Sequence, residues 1–118
     1  MDDMTINYDG RQFRALSNTS NGDTSAATIF QYHHRGDVVW ATYSGGTVKF
    51  GTLVASVAAD GSLDMRYQHL DEAGTFKTGK CHSRLEVLVD GRYRLYEDWQ
   101  WTSPETSCGR SVIEEIAS

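Results

Sequence analysis

"RLYEDWQWTS", residues 94–103, places two carboxylates and two indoles within five consecutive positions. On a β-strand, successive side chains point to opposite faces. Leu95, Glu97, Trp99 and Trp101 then share one side, and Arg94, Tyr96, Asp98 and Gln100 share the other. Whichever side looks inward decides what the protein holds in its interior.

The rest of the chain says what kind of interior to expect. At 118 residues with 39% hydrophobic content, it is long enough for one domain with its own core, spanning residues 1–118, and too short for two. Sixteen acidic against eleven basic residues give a net charge of -5 with no basic cluster, which argues against a nucleic-acid partner. The start, "MDDMTINYDG", has neither the basic opening nor the apolar run of a signal peptide, and no stretch reaches membrane-span length. A cytoplasmic protein with no membrane partner is expected. Two cysteines, Cys81 and Cys108, make no disulfide framework and are expected as free thiols.

Turn signals recur at Asp9-Gly10, Arg35-Gly36, Gly45-Gly46, Asp60-Gly61, Ala73-Gly74 and Asp90-Gly91, between segments rich in Val, Thr, Tyr, Phe and Trp. This is the pattern of consecutive β-hairpins. Pro104, the single proline, falls in "TSPETS", a loop before the last strand. Eight strands follow, at about 12–18, 25–34, 37–44, 47–59, 62–70, 75–89, 92–102 and 108–116. The fold class is therefore all-β. Even spacing and short turns favour a single eight-stranded antiparallel up-and-down barrel over a two-sheet sandwich. A barrel of that size is either filled by side chains or holds one small ligand.

"WATYSGGTVKFGTLVASV", "LDMRYQH", "GKCHS" and "EDWQWTS", in that order, resemble small bacterial proteins often labelled N-acetylglutamate synthase and grouped with avidin-like barrels. The resemblance runs from about Tyr8 to Glu115 and implies an avidin- or lipocalin-like calycin barrel. Its label implies an acetyl-CoA enzyme. Such enzymes grip the pyrophosphate with an Arg/Gln-x-x-Gly-x-Gly/Ala turn at a helix start, and no Arg or Gln here has a glycine three residues on. The motifs do not support that activity, and no cofactor is expected.

Taking Asp60-Gly61 and Asp90-Gly91 as two-residue turns sets Leu53 opposite Gln68 and Ser83 opposite Asp98, and the turn at 71–74 sets Arg66 opposite Gly79. One face then collects Gly51, Leu53, Ala55 and Val57 with Arg66, Gln68, Cys81, Ser83, Leu85, Arg94, Tyr96, Asp98 and Gln100, and on the third strand Trp40 and Thr42. The opposite face holds most of the aromatic residues, which favours it as the core. The alternation of Lys80, His82, Arg84 and Glu86 with Cys81, Ser83, Leu85 and Val87 argues the other way. On that second criterion the first face is taken as interior.

The expected site is then a polar cavity lined by Trp40, Thr42, Arg66, Gln68, Ser83, Arg94, Tyr96, Asp98 and Gln100, with Arg66 as anchor for a small polar or anionic molecule. An internal Arg66/Asp64/Asp98 network without ligand is the plainer alternative. Glu97 is expected outside, opposite Arg84. Tyr43, Tyr67, Trp99 and Trp101 are expected to form an outer aromatic patch for homo-oligomer formation. No metal site is expected: His69 and His82 share a face but lie roughly 20 Å apart at strand rise. Ser83 and Asp98 have no histidine on their face, so no catalytic triad is read. Small-molecule binding leads, an oligomeric interaction module without ligand follows, and an enzyme using the cavity comes third. A carboxylate with a strongly raised pKa beside a pocket would favour the third.

Overall fold

The computed structural model describes residues 5–117. Eight strands follow one another as β1 (Gln12–Asn18), β2 (Ile29–Arg35), β3 (Val38–Gly45), β4 (Val48–Val57), β5 (Leu63–Asp71), β6 (Phe76–Val87), β7 (Tyr93–Ser103) and β8 (Cys108–Glu115). Each pairs antiparallel with its neighbours, and β8 pairs back onto β1, so the sheet is a closed barrel. The all-β, up-and-down barrel expected from the turns is the fold observed.

Hairpin loops decide which side chains point inward. At β4–β5, Ala58 N donates to Ser62 O (2.9 Å) and Gly61 N to Ala58 O (2.9 Å), which leaves a three-residue loop ending in a left-handed glycine, φ 86°. Leu88 with Arg92 and Gly91, and Asp71 with Thr75 and Gly74, repeat the arrangement at β6–β7 and β5–β6. A two-residue Asp-Gly turn of the primed type needs positive φ at the aspartate. Among the described residues every positive φ belongs to glycine. The aspartates serve instead as local acceptors: Asp60 Oδ1 takes the Ser62 N–H (2.9 Å) and Asp90 Oδ1 the Arg92 N–H (3.1 Å).

The extra loop residue moves each register by one and turns over alternate strands. Leu53 lies opposite Tyr67, Tyr67 opposite Gly79, and Ser83 opposite Glu97. The first two displacements cancel, so β4 and β6 show the expected face inward, whereas β5 and β7 are reversed. On β3 the turn centres on Gly46-Thr47, with a bulge between Tyr43 and Gly45, and this strand is reversed as well. Arg66, Gln68, Asp98, Gln100 and Thr42 are consequently exposed on the outer wall, where Trp40, Arg94 and Tyr96 are half-buried. Arg66 pairs with Asp64 at 2.7 Å in the open, and Arg110 with Asp98 at 3.1 Å. Tyr43, Trp99 and Trp101 are buried inside, and Tyr67 packs against the same core, so the outer aromatic patch expected of them does not exist. Glu97 also points inward.

Glycine makes room for these rings. Gly51 faces Tyr43 across β3–β4, Gly79 faces Tyr67 and Trp101, and Gly109 faces Trp99. A Cβ at Gly51 would overlap the Tyr43 ring and crowd the His69 Cβ; at Gly79 it would overlap the Tyr67 ring; at Gly109, the Trp99 indole. These are matters of space, since none of the three has a positive φ.

One end of the barrel is shut by aromatic packing. Tyr8 stands edge-on to Tyr93 (centroids 5.3 Å apart) and donates its hydroxyl to Gly61 O at 2.5 Å. Tyr32 and Phe13 pack beneath it. The Arg11 guanidinium covers Tyr93 at 3.7 Å and pairs with Glu115 at 2.7 Å. The opposite end carries the β1–β2, β3–β4, β5–β6 and β7–β8 connections. Gly51→Ala should lower stability by about 1–3 kcal/mol, because the added methyl meets a packed ring rather than a void. Urea unfolding of the two proteins is the check.

Candidate functional site

Beneath the second end lies a cavity of about 50 Å³. Its walls are Tyr43, Tyr67, Trp99 and Trp101, with Phe30, Leu53 and Met65 completing the apolar surface. Polar groups reach it from Glu97, Ser111, Cys81, His69, Asn18 at the end of β1 and the loop residue Asp23. The rings are mutually braced: Trp101 meets Tyr67, His69 and Trp99 at centroid distances of 5.8, 5.5 and 5.5 Å.

The segment 18–24 lies across the mouth as a strap. Trp99 Nε1 donates to Asn18 Oδ1 and Trp101 Nε1 to Asn21 O, each at 3.1 Å. Asn21 Nδ2 donates to Cys108 O (2.9 Å), and Thr47 Oγ1 donates to Asp23 O (3.1 Å). Asp23 is the principal tether. Its carboxylate accepts from Lys77 Nζ at 2.9 and 3.1 Å and lies 2.9 Å from His69 Nε2. His69 Nδ1 is 3.0 Å from Tyr43 Oη, so a proton on Nε2 donated to Asp23 and a Tyr43 hydroxyl donated to Nδ1 satisfy the chain. Hydrogen bonding to Asp23 raises the Lys77 ammonium above its ordinary value.

Glu97 lies deeper. Ser111 Oγ donates to its Oε1 at 2.8 Å, and Ser83 Oγ approaches Oε2 at 3.4 Å. Glu97 is half-buried, and its carboxyl borders the cavity rather than open solvent. Desolvation pushes its carboxyl up to about 7, against the smaller opposing effect of the two serine hydroxyls. Burial likewise pushes the Cys81 thiol and the Tyr32, Tyr43 and Tyr67 phenols up. No lysine or arginine lines the cavity among the described residues.

The structure keeps one of the nine residues expected to line the interior. Ser83 is fully buried beside Glu97. Trp40, Thr42, Arg66, Gln68, Arg94, Tyr96, Asp98 and Gln100 stand on the other side of the wall, for the register reason given above. Trp40 stacks on His33 at 5.4 Å, and Arg94 pairs with Glu114 at 2.6 Å. His69 and His82 lie on opposite faces, the first buried and the second exposed. Sequence reasoning missed Asn18, Asp23, His69, Glu97 and Ser111 at the cavity; Cys81 lay on the face taken as interior but was not read as part of a site. Glycines at 51, 79 and 109, each on a strand next to one bearing an aromatic, were the available signal for the interior face. The cysteines are free, Cys81 buried and Cys108 exposed.

The model of the avidin-like protein family matches residues 6–116, nearly the whole chain. The chain belongs to that family. No curated protein and no solved structure matches it. The avidin-like assignment agrees with the closed eight-stranded barrel and with the resemblance expected from the sequence.

In this avidin-like barrel Glu97 leaves a thermodynamic signature. Its folded-state value lies above that of an unfolded chain, so between about pH 4.5 and 7 the folded protein holds a proton that the unfolded chain releases. Stability therefore falls as pH rises across that window and is level above it. Glu97→Gln removes the cost of burying the charge and should be more stable than wild type by about 3 kcal/mol at pH 8, the two converging below pH 5. Denaturant unfolding at both pH values measures this.

Proposed function

We propose that this protein binds a small molecule in the mouth half of its barrel, beneath the strap of residues 18–24. The observation that carries the reading is the cavity itself: four aromatic rings enclose it, and polar groups enter from one carboxylate, one histidine and the strap. Interiors of this composition are the usual form of small-ligand sites, and membership of the avidin-like family supports the same class. The strap is attached mainly by side-chain hydrogen bonds and one carboxylate rather than by a buried apolar face, which suits a segment that opens and closes. Arg66 no longer supports an anionic ligand, since it faces solvent.

Glu97 favours a second reading, proton transfer to or from a bound molecule. A carboxyl held near neutrality in a pocket is suited to general acid–base work. Its two closest polar neighbours are serine hydroxyls that donate to it, and the nearby Cys81 thiol is held protonated by burial. With no activated nucleophile beside the carboxyl among the described residues, binding is the stronger reading. Recovery of the ligand unchanged after prolonged incubation separates the two.

The three tryptophans give the direct test. A molecule that enters the barrel should shift the indole N–H resonances of Trp99 and Trp101, whose acceptors are on the strap, and leave Trp40 on the outer wall unmoved. Screening a small-molecule library by this NMR readout checks the reading. Hits that move Trp40 alone, or no hits at all, would overturn it.

A further inference from the structure

Glu97 lines the cavity with no cationic partner among the described residues. The Glu97 carboxylate has hydroxyl donors in Ser111 and Ser83, whose own oxygens remain free to accept. The Tyr32 hydroxyl is fully buried and is, among the described residues, the one buried side-chain polar atom without a partner. Of the charged groups acting on that hydroxyl, Glu97 acts most strongly.

The titratable groups facing Glu97 come from every side. Tyr32 on β2, Tyr43 on β3, Tyr67 on β5 and Cys81 on β6 all experience its charge, and burial keeps all four neutral. Of the two cationic or potentially cationic groups at the mouth, Lys77 is held by Asp23 and Asp71, and His69 by Asp23 and Tyr43. Among the described residues, nothing balances an ionised Glu97.

Resting on the reading that the barrel binds a small molecule, we propose that its ligand is a small primary or secondary ammonium ion, donating N–H bonds to Glu97 with its charge enclosed by aromatic rings. An ammonium brings only donors, which the Glu97 carboxylate at the cavity wall can accept. Tyr43, Tyr67 and Trp99 line the cavity, and aromatic rings attract a cation through their faces. An anion would meet an uncompensated carboxylate. A cavity of about 50 Å³ has room for roughly three to five water-sized groups, which matches an alkylamine of a few heavy atoms under a closed strap.

The ammonium ion needs Glu97 ionised. With Glu97 titrating at about 7, binding at pH 6 should release about 0.9 proton and at pH 8 about 0.1, and affinity should be about tenfold tighter at pH 8.

The experiment titrates the full chain with methylammonium and ethylammonium chloride, alongside acetamide and sodium propionate as neutral and anionic probes of similar size. The Trp99 and Trp101 indole resonances and calorimetry at both pH values are the readouts. Shifts from the amines alone, tighter at pH 8 and lost in Glu97→Gln, are expected. Shifts from acetamide or propionate without the amines overturn the ligand class and leave the barrel-binding reading standing. Amine binding that is level with pH, or that persists in Glu97→Gln, overturns the role of Glu97. Silence from all four probes overturns the ammonium proposal, and the library screen then decides separately whether the barrel binds anything. Should the variant fail to fold, the pH dependence of amine binding to the wild type decides the role of Glu97 by itself.

Discussion

The bore of an eight-stranded barrel is the constraint from which the rest follows. Eight strands enclose a space that side chains nearly fill, and this chain fills it with tyrosines and tryptophans rather than with branched aliphatic residues alone. Rings of that size fit only because the position across from each is bare: Gly51 for Tyr43, Gly79 for Tyr67 and Trp101, Gly109 for Trp99. Large and small residues alternating around the wall keep the rings in contact without strain. The cavity is what remains between them.

That construction yields an interior with two characters. Toward the shut end, Tyr8, Tyr32, Phe13 and Tyr93 pack against one another and leave no opening. Toward the mouth, the rings stand around a gap, and polar groups enter at two depths. The upper group, Tyr43, His69, Asp23 and Lys77, is internally matched, each member meeting a partner from another element. The lower group, Glu97 with Ser83 and Ser111, meets no cation among the described residues. The upper group holds the strap in place; the lower one gives the enclosed space its chemical preference.

Strands, turns and barrel closure were legible in the sequence because glycine turn signals and β-rich segments are local. The interior of β4 and β6 was legible too, since Leu53, Ala55, Cys81 and Ser83 alternate with plainly solvated neighbours. On β3, β5 and β7 the aromatic side was the right one, and here the two criteria that conflicted over a single shared face were each correct for their own strands. What separated them was one residue per hairpin loop. Asp60-Gly61 and Asp90-Gly91 read equally well as a two-residue turn or as the end of a three-residue loop, and a side-chain period of two turns that ambiguity into an exchange of inside and outside. Glu97 and Asp98 are adjacent and chemically alike, so their roles rested wholly on that register. Asp23 lies in a loop, where no periodicity exists to place it.

The pairing of β1 with β8 bears on how the chain reaches this state. Phe13 lies opposite Glu115, and the plug at the shut end joins Asn7 to Tyr93 and Tyr8 to Gly61. The internal hairpins, β2 through β7, need only short loops to form, but sealing the wall brings together segments about a hundred residues apart, at a large entropic cost. Until that seam closes, β1 and β8 are open edges, and the hydrogen-bonding groups along them are available to another chain. Such a topology belongs with the slow folders, on the order of milliseconds to seconds.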